Sequence, residues 1–265
     1  MGTKQAAVGA PSPTQVPLDP LTIPKFAHEL PIPRTFLPKE IKQNGQVIRH
    51  EYTVSVAQTT VQALPPGFPA TTVLAYGGLV RPTAAASAFG GDRPEAGGGE
   101  APSPAVAEFE DGPPGEFVRT VPGPLFDNIR GIPSLVRWRN EITTEHFLPV
   151  DPTLHWANPT AFEAPTGPFN DAFPVLKFAQ ALQPVALVTH NHGLVVVPEH
   201  DGTAEQWFTA GATPLRGPSF NSRDYLKPNE QPGAHLFYHD HTMGMTRISV
   251  YAGMAGTGYV IRDPA

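Results

Sequence analysis

Short runs of alternating apolar and polar residues, separated by proline- and glycine-bearing stretches, dominate this chain. Residues 46–63 are rich in Val, Thr and Tyr, and Tyr52, Val54 and Val56 share one phase of a two-residue period, as in a half-buried strand. A second short apolar stretch covers 73–76. Strand character returns over 117–140, where 134–138 alternates and Pro122-Gly123-Pro124 supplies a turn. The most apolar strand is expected at 185–197 and a further one at 234–241. After it, 242–251 predicts a helical turn and 252–261 a strand that closes the sheet. Roughly eight short strands with scarcely any helix predict an all-β fold, a Greek-key sandwich or barrel.

The connections are long. Residues 1–24 are polar and proline-rich and read as a flexible N-terminal arm. The segment at about 82–116 has Gly-rich and Pro-rich clusters and few large apolar residues; it cannot bury enough surface to order itself and reads as a mobile insertion. Residues 151–184 are loop-like, with a short helix expected around 175–181. Proline explains this economy: 33 of 265 residues, well above the usual share of about 5%. Such a density breaks helices and central strands and favours long Pro/Gly-rich loops.

Hydrophobic residues make up 40% of the chain, enough for a packed core, and charged residues only 16%. The formal net charge of −6 comes with no basic stripe, which argues against a nucleic-acid partner. No apolar run approaches the length of about 20 residues that spans a bilayer, so no membrane partner is expected. The first residues lack a basic region followed by a hydrophobic one, so no secretory signal is visible. A cytoplasmic or spore-associated protein fits, as does one whose signal has been removed. There is no cysteine, hence no internal disulfide.

The candidate chemistry lies in two His-x-His pairs, His190-Asn191-His192 and His239-Asp240-His241. Residues i and i+2 of a strand project from the same face, so each pair presents two imidazoles on one side of a ribbon. Two such strands side by side gather four nitrogen ligands, a set that suits copper, zinc, iron or nickel, with copper(II) highest in affinity. A buried His pair hydrogen-bonded within the sandwich is the other reading of His190 and His192, and a solvent-facing turn that of His239 and His241. Gly193, which removes a side chain where the first strand must leave, and the apolar approach Leu236-Phe237-Tyr238 weigh toward metal ligation. His28, His50, His146, His155 and His235 have no ligand-like spacing. His200 is expected at the surface, and Met243, Met245 and Met254 in core packing.

The flanks carry a resemblance. Thr-His-Asn-His-Gly (189–193) and Leu-Phe-Tyr-His-Asp-His-Thr-Met-Gly (236–244) resemble the first two copper motifs of multicopper oxidases. The tail at 246–264 is similar to the spore-coat laccase and bilirubin oxidase branch, as are Leu-Pro-Ile-Pro (30–33), Pro-Gly-Pro-Leu-Phe (122–126), Val-Arg-Trp-Arg-Asn (136–140) and His-Phe-Leu-Pro-Val-Asp (146–151). The resemblance implies one cupredoxin-like domain over 25–265, out of the three such an enzyme has. It implies that His190 matches a type 2 copper ligand, that His192 and His239 match ligands of one type 3 copper, and that His241 matches a ligand of the other. Asp201, in Asp201-Gly202, falls where this branch carries an acidic residue near the cluster; a plain Asp-Gly turn is the alternative.

The family's trinuclear copper cluster takes eight histidines, half of them from the last domain, which also supplies the cysteine of the type 1 copper. This chain has no further His-x-His pair, no His-Cys-His and no cysteine. The expectation is therefore a small subunit or an N-terminal fragment of a laccase-like oxidase, inactive as an isolated chain. Its partners would be a second polypeptide with the remaining cupredoxin domains, dioxygen and a small reducing substrate. The alternative is a stand-alone, non-enzymatic copper-binding cupredoxin that stores or delivers metal.

Overall fold

A computed structural model describes residues 18–27, 32–82, 115–150 and 184–264. The expected helix at 175–181, almost all of the insertion at 82–116 and the first 17 residues of the arm lie outside that set.

The alternating segment at 46–63 forms one long strand, β2 (Gln46–Val61), around which the larger sheet is built. Its N-terminal half pairs antiparallel with β1 (Lys39–Gln43) and its C-terminal half antiparallel with β3 (Thr71–Val80). Its other edge pairs in parallel with β6 (Ser134–Asn140), and β4 (Glu116–Thr120) and β10 (Asp224–Lys227) close the two sides. A second sheet runs β5 (Phe126–Ile129), β12 (Tyr259–Arg262), β11 (Ala234–Asp240), β8 (Thr189–His192), with β5 and β12 parallel. A two-stranded ribbon joins β7 (Ala186–Leu187) to β9 (Phe208–Thr209).

Tyr52, Val54 and Val56 from β2 and Val136 and Trp138 from β6 meet Phe126, Tyr238, Tyr259 and Ile261 from the second sheet, all at most 2% exposed. The all-β sandwich expected from the pattern is what forms, and the sheets do not close into a barrel. Twelve strands replace the eight expected among the described residues. The predicted strand at 185–197 breaks at Val188 into β7 and β8, because Val188 N–H donates to the Asp240 side chain and not to a ladder. It ends at His192, where Gly193 takes φ +85°. The predicted closing strand at 252–261 narrows to β12, since Ala252 caps the short helix α1 (Thr246–Tyr251) instead of pairing.

Aromatic packing joins the sheets. The Tyr238 ring lies 5.0 Å from Tyr76, 5.2 Å from Phe126 and 6.1 Å from Trp138, centroid to centroid. Each such pair contributes about 0.5–1.5 kcal/mol beyond area burial. Their hydroxyls are satisfied: Tyr238 donates to Pro124 O at 2.7 Å, and Tyr76 shares a hydrogen bond with Thr189 Oγ1 at 3.1 Å. Gly256 allows this arrangement, for a Cβ there would overlap the Tyr238 ring at 1.9 Å. Tyr238 and Thr189 sit on β11 and β8, so the core fixes the two strands that carry the histidine pairs.

Candidate metal centre

β8 and β11 are antiparallel neighbours with His190 directly opposite His239, Asn191 opposite Tyr238 and Thr189 opposite Asp240. Strand alternation then sorts the side chains. Thr189, Asn191, Tyr238 and Asp240 are fully buried on the core side. His190, His192, Phe237 and His239 occupy the other face, and His241 continues it just past the strand end. The His190 ring centroid is 5.7 Å from His192, 5.7 Å from His239 and 4.9 Å from His241. His239 is 5.7 Å from both His192 and His241. The four predicted ligands are thus brought together. Among the described residues, no three His, Asp or Glu side chains are arranged to hold one ion between them.

Hydrogen bonding fixes which nitrogen each ring offers. His190 Nδ1 is 2.8 Å from Asp201 O, His239 Nδ1 is 2.8 Å from Asp240 O, and His241 Nδ1 is 3.2 Å from Gly202 O. A carbonyl only accepts, so each Nδ1 carries the proton and each Nε2 keeps its lone pair. This carbonyl-to-imidazole support orients metal-binding histidines and raises their basicity as ligands. Burial holds the pKa values of His239 and His241 below the ordinary histidine range, and the neighbouring His190 adds to the effect on His241. Both favour the neutral form that binds metal. The His192 ring stacks on Phe237 at 4.8 Å. This donor set fits copper, for which neutral imidazole is a good ligand.

Asp201, the predicted carboxylate, touches His190 twice: through its carbonyl and through Oδ1, 3.2 Å from the same Nδ1. The next carbonyl, Gly202 O, serves His241. One Asp-Gly turn, following a 3-10 turn at Pro198–His200, therefore orients two imidazoles from different strands. Gly202 is obligatory: its φ is +75°, and a Cβ would lie 2.1 Å from Thr189 O.

The turn is fastened from outside. Gln206 Nε2 donates to Pro198 O and Glu199 O at 3.1 and 3.3 Å, while its Oε1 accepts from Thr203 N–H. Asn221 Nδ2 donates to Glu199 O at 2.8 Å, and Lys227 Nζ to His200 O at 2.8 Å. Lys227 is fully buried, which pushes its pKa down to about 7 against the pull of the Asp201 carboxylate.

Sequence reasoning did not single out Gly202, Gln206, Lys227 or Asp240. The last was legible, since alternation between two outward histidines sends it to the core. There it accepts from Val188 N–H and from the Thr242 hydroxyl, and burial raises its pKa to about 6. His200, expected at the surface, is only partly exposed. His50 and His146 are buried away from the cluster and His235 is exposed. His28 and His155 fall outside the described residues. Met245 and Met254 pack in hydrophobic clusters, as expected.

No family model matches the chain. Curated relatives do. A multicopper oxidase of Oryza sativa subsp. japonica is 38% identical over 146 residues, 55% of this chain and 21% of that protein. A laccase of Bacillus subtilis is 37% identical over 143 residues, 54% of this chain and 24% of that protein. Its relatives are multicopper oxidases. A laccase of Haloferax volcanii extends the match to 251 residues, 94% of this chain, at 28% identity. The chain spans about a third or less of these multicopper oxidases' own length. Among solved structures, a multicopper oxidase from Pediococcus acidilactici aligns with 91% of this chain and 31% of its own, at 17% identity and a TM-score of 0.48.

Proposed function

We propose that this chain supplies half of the histidine ligands of a trinuclear copper cluster in a laccase-like oxidase. His190 is the type 2 ligand, His192 and His239 bind one type 3 copper, and His241 binds the other. When bound, the copper cluster supplies the electrons that reduce dioxygen to water while a phenolic or similar substrate is oxidised at a type 1 copper held elsewhere. The chain's own part is to orient. Asp201 O, Gly202 O and Asp240 O hold three Nδ1 protons so that three Nε2 lone pairs are free for metal. The Asp201 carboxylate, with Oδ1 3.2 Å from His190 Nδ1, adds a second acceptor at that ring's edge.

The observation that carries this reading is the shared face of four imidazoles with Phe237 stacked among them. That face is partly open to solvent among the described residues. Phe237 is 43% exposed, and Val195 and Val197 on the loop leaving β8 are 69% and 54% exposed. Apolar side chains beside half a ligand set suit a second polypeptide that brings the other half. Relatives three or more times longer than this match, among them the Bacillus subtilis laccase, support the same division.

Native mass measurement of the protein purified from its host, with copper counted, tests the reading. A companion chain and three cluster coppers plus a blue centre are expected. The chain alone should be colourless, since it has no thiolate to give a blue band. A stable, partnerless chain holding one or two coppers would instead make it a storage or delivery protein.

A further inference from the structure

Strand β10 is inverted relative to its hydrophobic pattern. Leu226 is 41% exposed, while Tyr225 and Lys227 on the opposite face are 1% and 0% exposed. Turning a leucine out and a lysine in costs free energy twice: apolar surface is left in water and an amine is desolvated. Sheet building gives no reason for it, because Lys227 pairs with Ser134 at a position where an apolar residue would serve.

The Lys227 amine has a defined target. Nζ donates to His200 O at 2.8 Å and lies 5.1 Å from the Tyr225 ring centroid, a cation–π distance. His200 is the residue immediately before the Asp201-Gly202 carbonyl pair. The Asp201 carboxylate favours the charged amine electrostatically.

We infer that Lys227 is a positioning residue: by anchoring His200 O it sets the Asp201 and Gly202 carbonyls that orient His190 and His241. The inference rests on the reading of those histidines as copper ligands, but its mechanical content belongs to the metal-free chain. His239 is outside its reach, because its acceptor is Asp240 O on β11, not the turn. This split separates positioning from a general effect on folding.

The test is a two-bond proton–nitrogen correlation spectrum of the full chain, metal-free and labelled with 15N-histidine, in wild type and Lys227→Met. Methionine keeps roughly the volume and removes the donor, leaving His200 O without it. In wild type His190, His239 and His241 are expected as Nδ1–H tautomers. In the variant His190 and His241 should become mixtures while His239 stays Nδ1–H. No change at any of the three, or an equal change at all three, overturns the inference. Lys227→Gln, which restores a polar donor with shorter reach, is read in the same way should the methionine variant not fold. Copper(II) titrated into both chains is expected to bind about 10-fold more weakly in Lys227→Met. If neither isolated chain binds copper, the tautomer result alone decides the inference, and the copper reading is decided by the copper count of the assembled oxidase.

Discussion

The two faces of the β8–β11 ribbon make a controlled comparison. They share a backbone and a register, yet one side is fully buried at Thr189, Asn191, Tyr238 and Asp240, and the other carries four histidines beside a 43%-exposed phenylalanine. Stability is concentrated on the first face and chemistry on the second. Changes on the core face should therefore unfold the protein, and changes on the histidine face should alter metal binding at little cost to folding.

The largest effect is expected for Tyr238→Ala, which empties the centre of the aromatic cluster and should cost about 3–5 kcal/mol in denaturant unfolding. A loss below about 1 kcal/mol would mean that the core does not fix these strands. Next comes Asp240. Its folded pKa of about 6 lies above the ordinary 3.8, so the folded state holds this proton more tightly than the unfolded chain. That contribution is complete below about pH 4 and is lost as pH rises through about 6. The metal-free chain should lose on the order of 3 kcal/mol across that window, and Asp240→Asn should flatten the slope. A curve unchanged by the substitution would remove Asp240 from the account.

Gly202→Ala stands between the faces. The added methyl meets Thr189 O, so the turn must move, at a cost of about 1–3 kcal/mol. Copper affinity should fall with it, because His190 and His241 lose their fixed carbonyls. Affinity preserved at wild-type level would count against the turn's orienting role. The smallest effect on folding belongs to His239→Ala, expected within about 1 kcal/mol of wild type by thermal unfolding. On the proposed reading, the oxidase assembled from this variant and the remaining domains should lose oxygen reduction but keep the blue type 1 band. Surviving oxygen uptake would sink the ligand assignment.

Much of this was legible in the sequence because strands are read at a period of two. The alternation at Tyr52, Val54 and Val56 located β2, and the His-x-His spacing put each pair of imidazoles on one face of its strand. Asp201 was found through its neighbourhood in a known motif, and the structure gives its contact with His190. What stayed hidden depends on long-range pairing. Nothing local to Leu226-Lys227 says that the lysine turns inward, since propensity favours the opposite. Gly202 looks like any Asp-Gly turn until the backbone of β8 is laid against it. The over-long strand at 185–197 was misread because a continuous apolar run carries no sign of where pairing stops. A side chain 52 residues away, Asp240, takes over at Val188.

The direct apposition of His190 and His239 has a final consequence for accuracy in assembly. Were β8 to slide by one position along β11, Asn191 would swing outward and two imidazoles would be driven among Tyr76, Phe126 and Trp138. Such a mispaired chain would be heavily penalised before it ever met a metal ion. The hydrophobic interior thus penalises misplacement of the four imidazoles during folding, independently of any metal.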